Sequence, residues 1–137
     1  MLSGAATEEL DAKFGGDVRL LRPPVHLDRR GRLTEFDFSV VPFGVERAFT
    51  VSDVPVGTTR GGHSHRTAAQ VLACVSGRVE VDLRRDNADY RLVLTPDSGA
   101  LYITPGVWAR QRYADEGTVL VVLASEPYDP AGYETGP

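Results

Sequence analysis

Apolar and polar residues alternate along much of this chain with the two-residue period of β-strands. The clearest case is residues 78–84, where Val79, Val81 and Leu83 are separated by charged residues. Such a segment buries one face and exposes the other to water. Similar short runs recur at intervals of about ten residues with turn residues between them, which is typical of a β-sandwich or barrel. The other predicted strands are 33–39, 46–52, 69–75, 90–95, 100–103, 107–113 and 118–124.

Two of these segments carry further information about the fold. Ser76-Gly77 supplies a turn before residues 78–84, so we expect 69–75, 78–84 and 90–95 to form an antiparallel meander. The run from Val119 to Ala124 is continuously apolar, which predicts a strand buried on both faces. Closure of these strands into a barrel would leave no exposed sheet edge.

The chain is long enough for one domain with its own core. It has 137 residues, of which 42% are hydrophobic and 25% charged, an ordinary composition for a globular domain. Residues 1–16 are small or polar and end in Gly15-Gly16. We interpret them as a flexible N-terminal arm outside the core, with at most a helical turn over residues 7–13. Residues 17–137 are predicted to form a single domain.

Charge and cysteine content exclude several classes of partner. The net charge of −4 argues against binding to nucleic acid or to an anionic membrane surface. No stretch of about 18 apolar residues is present, so no membrane span is predicted. The single cysteine, Cys74, lies within an apolar run, which favours a buried, inert thiol and a cytoplasmic location.

The candidate chemistry is concentrated in residues 60–65, Arg-Gly-Gly-His-Ser-His. On an extended segment His63 and His65 would lie on the same face with their Cβ atoms about 7 Å apart. Arg60 adds a permanently charged, planar donor suited to an anion. Alone, this motif fits packing histidines, a metal site or an acid–base pair, since imidazole can both accept and donate a proton near neutral pH.

The order of the surrounding residues resembles that of the two cupin motifs: His63-x-His65, Gln70 and Gly77, then Gly99 and Pro105-Gly106. The resemblance implies an all-β cupin barrel, also described as a double-stranded β-helix or jelly roll. Metal-binding cupins would place a glutamate and a histidine at Gln70 and Ala109. An amide is a poor ligand and alanine offers none. We therefore interpret His63 and His65 as a proton-transfer pair and predict no metal.

From Val18 to Glu134 the chain also resembles the dTDP-sugar 3,4-ketoisomerases, the WxcM-like cupin family. The segments that carry the resemblance are residues 30–34, 41–47, 60–65, 99–108 and 123–129, with Tyr133. The resemblance implies an isomerase that needs no cofactor and converts a dTDP-linked 4-keto-6-deoxyhexose to the 3-keto sugar. It also implies a homodimer with N-terminal strand exchange.

The same resemblance suggests roles for individual residues. His63 and His65 match the catalytic histidines, one as the C–H base and one as the proton shuttle between oxygens, without a choice between them. The predicted substrate-binding residues are Arg60, Arg47, Gln70, Trp108 and Tyr102; Tyr128 and Tyr133 are expected to pack at the barrel rim or at a dimer contact.

Two alternative functions remain open. Ala109-Arg110 stands where the family usually has His-Glu, and Phe49-Thr50 where it has two tyrosines. These differences motivate a catalytically silent cupin that binds a nucleotide sugar. The histidine pair alone motivates a metal-dependent cupin enzyme. The configuration at C4 of the product does not follow from the sequence.

Overall fold

The computed structural model describes residues 4–136, which are built mainly from β-strands. This part of the chain contains one α-helix, α1 (Gly4–Phe14), and single 3₁₀ turns at Gly15–Asp17, Phe38–Val40 and Pro130–Gly132. Its strands are β1 (Val18–Leu21), β2 (Val25–Asp28), β3 (Gly31–Thr34), β4 (Arg47–Val51), β5 (Thr59–His65), β6 (Gln70–Ser76), β7 (Val79–Arg85), β8 (Ala88–Leu94), β9 (Ala100–Ile103), β10 (Trp108–Tyr113), β11 (Val119–Ala124) and β12 (Tyr133–Thr135).

Two five-stranded antiparallel sheets form the barrel. The first has the strand order β1-β9-β6-β11-β4 and the second β12-β5-β10-β7-β8. Neighbours in each sheet are mostly distant in sequence, as in a jelly roll. The predicted all-β cupin barrel is confirmed.

The core lies between the two sheets and follows the sequence alternation. Val79, Val81 and Leu83 of β7 are fully buried, and they join Leu120 and Val122 of β11 in one apolar cluster. In β11 the alternate residues Val121 and Leu123 belong to a second cluster, on the outer face of the first sheet. The prediction that β11 is buried on both faces is therefore confirmed.

Helix α1 packs on the barrel end formed by β1 and β8. Leu10 and Phe14 are 1% and 2% exposed and belong to the main core cluster. Phe14 also lies beneath the Arg85 guanidinium, and Arg85 pairs with Asp17. The expectation that this segment stays outside the core is thus wrong for residues 4–14, because two apolar side chains one helical turn apart seal the barrel.

The predicted meander is wrong in one strand. β7 pairs with β8 and β10, whereas β6 pairs with β9 and β11 in the other sheet. Gly77 has φ +79°, and a Cβ there would lie 2.2 Å from Oγ1 of Thr118. The turn at residue 77 therefore carries the chain across the barrel instead of folding it back beside β6.

The N-terminal hairpin of β2 and β3 forms a small sheet of its own, in register from Val25↔Thr34 to Asp28↔Gly31. The predicted strand 33–39 is therefore correct only at its start, since residues 38–40 form a 3₁₀ turn. Leu27 and Leu33 are 65% and 58% exposed. The hairpin is attached to the barrel through Arg32, which donates to Asp97 at 2.9 Å.

No helix within residues 4–136 is long and apolar enough to cross a membrane.

Candidate active site

A β-bulge in β5 turns Arg60 and His63 toward the same side of the second sheet. Arg60 pairs with Gln111 of β10 and His63 pairs with Ala109, so β5 uses one more residue than β10 over this stretch. Residues three apart on a regular strand would face opposite sides. The extra residue at Gly61-Gly62 shifts the alternation of β5 by one position, so the side chains of Arg60 and His63 face the same side of the sheet.

The two glycines provide the backbone conformation that the bulge requires. Gly61 and Gly62 have φ +80° and +78°, a region that side chains with a Cβ rarely adopt. At Gly61 the missing Cβ also makes room for Gln111, whose Oε1 would lie 2.7 Å from it. The Gly-Gly pair thus allows the bulge that places Arg60 and His63 on the same side of the second sheet.

A cavity of about 210 Å³ opens inside the barrel beside His63. Its polar wall comes from β5, β6, β10 and β12, and apolar side chains of β4, β6 and β11 form the opposite wall. The lining residues are Phe49, Val51, Arg60, Gly61, His63, Gln70, Leu72, Gln111, Tyr113, Leu120, Val122 and Tyr133. One side of the cavity therefore offers polar groups to a ligand and the other excludes water.

His65 lies on the wall of a smaller adjoining pocket of about 20 Å³, together with Arg47 and Glu126. Tyr133 of β12 lines both this pocket and the larger cavity. The strand pairing explains this position, because Tyr133 lies directly opposite His65 and one diagonal step from His63.

The two imidazoles and the Tyr133 ring form a compact cluster. The centroids of His63 and His65 are 5.0 Å apart with the planes at 81°. The Tyr133 ring lies 4.5 Å from His63 and 4.6 Å from His65. The sequence prediction that both histidines lie on one face holds, and their rings are close enough to act on one small ligand.

Burial lowers the pKa of both histidines. For His63 a hydrogen bond to the Gly61 backbone opposes the effect of burial. For His65, burial and then the positive charges of His63 and Arg47 lower the pKa to about 4, against a hydrogen bond to Gln70 and the charge of Glu126. Both rings are therefore neutral at pH 7, and each retains a ring nitrogen that can accept a proton.

Arg47 presents an electropositive group beside His65. Its guanidinium lies over the Phe49 ring at 4.7 Å and over the Tyr128 ring at 5.5 Å. Its Nε is buried and has no hydrogen-bond partner within the described residues. A buried donor without a partner costs about 1–3 kcal/mol, so this group is suited to bind an acceptor supplied by a ligand.

Tyr102 and Trp108, both predicted to contact substrate, do not line this cavity, and their role stays a prediction. Tyr102 belongs to the apolar cluster on the outer face of the first sheet and stacks on Phe43 at 6.1 Å. The guanidinium groups of Arg84 and Arg110 lie over the Trp108 ring, at 5.3 and 5.5 Å from its centroid. Strand alternation turns Ala109, not Trp108, toward the core cluster.

Gln111, Tyr113 and Tyr133 line the cavity without having been predicted as site residues. Burial raises the pKa of Tyr113 to about 12, so its hydroxyl keeps its proton. The alternation on β10 could have found the first two, because any residue two or four positions after an inward-facing Ala109 also faces inward. Tyr133 gave no comparable signal, since its strand has only three residues.

The donor set does not favour a metal ion. Within the part of the chain that the structure describes, no three His, Cys, Asp or Glu side chains lie close enough together to hold one. Gln70 and Ala109 occupy the two positions where, by the resemblance described above, metal-binding cupins have a glutamate and a histidine as ligands. Two imidazoles alone fall short of the usual three or four protein ligands.

Residues 16–135 match the family model described as "WxcM-like, C-terminal" (FdtA). A curated relative is similar over 108 residues, 78% of this chain and 78% of the relative, with 32% identity. That protein is the TDP-4-oxo-6-deoxy-alpha-D-glucose-3,4-oxoisomerase of Aneurinibacillus thermoaerophilus.

Solved structures of sugar 3,4-ketoisomerases have the same fold. QdtA from Thermoanaerobacterium thermosaccharolyticum, in complex with TDP, superposes with a TM-score of 0.82 at 35% identity, covering 88% of this chain and 89% of that one. The TDP-quinovose 3,4-ketoisomerase WlaRB of Campylobacter jejuni gives a TM-score of 0.80 at 29% identity, covering 88% and 94% of the two chains.

Proposed function

The chain belongs to the WxcM-like, C-terminal (FdtA) family, and from this premise we propose that its barrel cavity is the active site of a sugar 3,4-ketoisomerase. The enzyme is an isomerase that converts a dTDP-linked 4-keto-6-deoxyhexose to the corresponding 3-keto sugar. The observation that carries the assignment of the site is the neutral histidine pair, with ring centroids 5.0 Å apart, at a cavity flanked by arginines.

The reaction moves two protons and leaves the atoms of the sugar otherwise unchanged. A base removes the proton from C3, which is acidic because the C4 ketone accepts the electron pair, and an enediolate forms. A proton passes between O3 and O4, and protonation at C4 then gives the C3 ketone. General acid–base catalysis of this kind contributes about 10²–10⁴-fold to the rate.

We assign His63 as the C–H base and His65 as the group that moves protons between the oxygens. His63 lines the larger cavity, which has room for a sugar ring, and His65 lines the smaller adjoining pocket. Burial lowers the pKa of both rings, so each is neutral near pH 7 and able to accept a proton. The hydrogen bond of His65 to Gln70 gives Gln70 the role of orienting this ring.

Arg60 and Arg47 complete the site as anion-binding groups. Arg60 lines the cavity on the same strand as His63, where it would stabilise the enediolate or hold the diphosphate. Arg47, with its unpartnered Nε beside His65, would contact a sugar or phosphate oxygen. Guanidinium groups suit both tasks because they stay charged and donate in a planar fork.

The reaction as written requires no metal ion or redox cofactor, since only protons move. The presence of Gln70 and Ala109 in place of anionic or imidazole ligands supports this proposal. We expect that dialysis against a chelator leaves the activity unchanged. A loss of activity that added metal restores would instead favour the metal-dependent alternative.

Proton exchange in D₂O tests the function directly. With dTDP-4-keto-6-deoxyglucose, proton NMR should show a 3-keto product that carries deuterium at C4. His63→Asn should lower the rate at least about 100-fold. His26→Asn makes the same chemical change in the hairpin and should retain activity. Tight binding without exchange by the unaltered protein would favour the catalytically silent alternative, which Ala109 and Phe49 motivate.

We further propose that the protein is a homodimer in which the N-terminal hairpins are exchanged. An isolated two-stranded hairpin is marginally stable in water, and this one exposes Leu27 and Leu33. Two grooves of about 320 Å³ each separate the hairpin and the following segment from the first sheet. Apolar residues such as Val71 and Leu123 line one of these grooves. The hairpin of a second copy would fill the groove and at the same time bury its own exposed leucines.

Light scattering coupled to gel filtration tests the dimer. The unaltered protein should elute with twice the chain mass, and Leu27→Glu should shift it toward the monomer, because a charge would be buried at the interface. Val56→Glu is the matched control, since Val56 is 58% exposed, close to the 65% of Leu27, but lies before β5, outside the hairpin. A monomeric wild-type protein at micromolar concentration would contradict the proposal.

The cytoplasmic location inferred from the sequence stays a prediction. Cys74 is buried, as expected, and burial raises the pKa of its thiol to about 11, so the thiol is unreactive at neutral pH.

A further inference from the structure

The C-terminal strand β12 covers the histidine pair. It forms the edge of the second sheet and pairs with β5, with Tyr133 opposite His65 and Thr135 opposite His63. A strand of three residues contributes little pairing energy by itself, so its place depends on additional contacts.

Several contacts fix β12 at this position. Pro130–Gly132 forms a 3₁₀ turn before the strand, capped by Asp129, whose side chain accepts from the Ala131 amide at 3.0 Å. The Arg66 amide donates to the Gly132 carbonyl at 2.9 Å, and Nε of Arg66 donates to Glu134 at 3.0 Å. The chain is thus held on both sides of Tyr133.

The Tyr133 ring contacts both imidazoles, at 4.5 and 4.6 Å between centroids. It also lines both the cavity of His63 and the pocket of His65. A flat ring in contact with two others at tilts of 48° and 61° restricts how far each imidazole can rotate. It also occupies space that water would otherwise fill beside them.

We propose that Tyr133 is a positioning residue, whose ring fixes the orientation of His63 and His65 and keeps water from both. This inference rests on the proposed ketoisomerase function and extends it to the C-terminal strand. The ring performs this role and the hydroxyl does not, because the ring makes the contacts with both imidazoles. The direction of the histidine pKa shifts agrees, since burial is their largest cause.

The charged groups that line the two pockets are Arg47 on β4, Arg60 on β5, and Glu126 and Asp129 after β11. None of them changes when Tyr133 is replaced. A change in histidine titration in a Tyr133 variant would therefore report the loss of the ring.

The experiment compares wild-type protein with Tyr133→Phe and Tyr133→Ala. We expect Tyr133→Phe to retain kcat within about 3-fold. Tyr133→Ala should lower kcat about 10- to 100-fold, since a displacement near 1 Å costs about that much, with a change in KM below about 3-fold. The acid limb of its pH–rate profile should move to higher pH, because the more hydrated histidines protonate more readily. Tyr133→Leu, which keeps an apolar side chain, should lower kcat like the alanine variant and replaces it if that variant unfolds.

Titration of the histidine ring signals by NMR, without substrate, separates this inference from the proposed function. The chain has only three histidines, and His26 in the hairpin provides the reference signal. In Tyr133→Ala the signals of His63 and His65 should titrate at higher pH than in wild type. If the wild type lacks isomerase activity but this shift occurs, the proposed function fails and the positioning role stands. Unchanged titration and kcat in Tyr133→Ala, or equal losses of kcat in the phenylalanine and alanine variants, would overturn the inference.

Discussion

The double glycine in β5 allows the geometry of the site to be tested with two nearly matched substitutions. Gly61 and Gly62 have φ +80° and +78°, so alanine at either position suffers a similar backbone strain of about 1–2 kcal/mol. The two positions differ in what the new methyl group meets. At Gly62 the nearest atom is an aromatic carbon of Trp108 at 3.9 Å, which is an ordinary contact.

At Gly61 the methyl group meets atoms of β10 at short range. It would lie 2.7 Å from Oε1 of Gln111 and 3.1 Å from the backbone carbonyl of Ala109. Relief of such overpacking costs about 1–3 kcal/mol. Gly61→Ala should therefore lower the free energy of unfolding by about 2–5 kcal/mol, and Gly62→Ala by about 1–2 kcal/mol.

The catalytic effects should differ more than the stabilities. Ala109 lies opposite His63, so a shift of β10 changes the position of the proposed base. We expect kcat of Gly61→Ala to fall at least about 10-fold, since displacements near 1 Å cost up to about 100-fold, and that of Gly62→Ala to stay within about 3-fold. Urea unfolding and initial rates by NMR measure the two quantities on the same samples.

A double variant identifies the contact responsible. Gln111→Ala removes the amide that meets the new methyl group, so the double variant Gly61→Ala/Gln111→Ala should recover about 1 kcal/mol relative to the sum of the single changes. Equal losses of stability and kcat in the two glycine variants would refute the assignment of the bulge as the element that positions His63.

Two further predictions concern protonation and the core. His65 has a pKa of about 4 in the folded protein against about 6.5 unfolded, so its contribution to stability is present above pH 6.5 and is lost as the pH falls toward 4. The full shift corresponds to about 3 kcal/mol of stability, and solvent screening reduces it to about 1–2 kcal/mol. When the pH falls from 7 to 4, the free energy of unfolding measured in urea should decline more steeply for wild type than for His65→Asn. Parallel curves for the two proteins would contradict this. Leu10→Ala should lower the free energy of unfolding by about 2–5 kcal/mol. It should leave kcat unchanged, because α1 packs on β1 and β8, which do not line the cavity. Unaltered thermal stability would show that α1 is not part of the core.

The strands that the sequence predicts best are those with one solvent-exposed face and one buried face. β7 alternates strictly between apolar and charged residues, and the structure confirms its inward face and places the strand at Val79–Arg85, one residue later than the predicted 78–84. β5 was not among the predicted strands, because Thr59–His65 contains two glycines and no apolar residue. Its bulge depends on pairing with β10, which a linear pattern does not contain.

The same limit applies to the aromatic residues Tyr102 and Trp108. β9 and the start of β10 are buried on both faces, so periodicity cannot show which side faces the cavity. The structure places both side chains on outer faces of the sheets, and their predicted contact with substrate stays a prediction. The sequence did not predict α1 as part of the core, because the segment has few large apolar residues. Two of them, Leu10 and Phe14, pack into the main core cluster.

The charges around the histidine pair bear on which chemistry the site performs. A His-x-His motif places two imidazoles on one face in either a metal site or a proton-transfer site, so the motif itself does not distinguish them. Here Arg47 and Arg60 supply two positive charges, and Glu126 and Asp129 supply two negative charges at the pocket of His65. The larger cavity is lined by Arg60 and by no carboxylate, and the buried Nε of Arg47 has no hydrogen-bond partner within the described residues. Both arginines are therefore placed to bind an anion, whether the diphosphate of a nucleotide sugar or the enediolate formed from it. The charge of Arg47 also lowers the pKa of His65, so the residue that would attract the substrate helps to keep the imidazole proposed as a proton shuttle neutral.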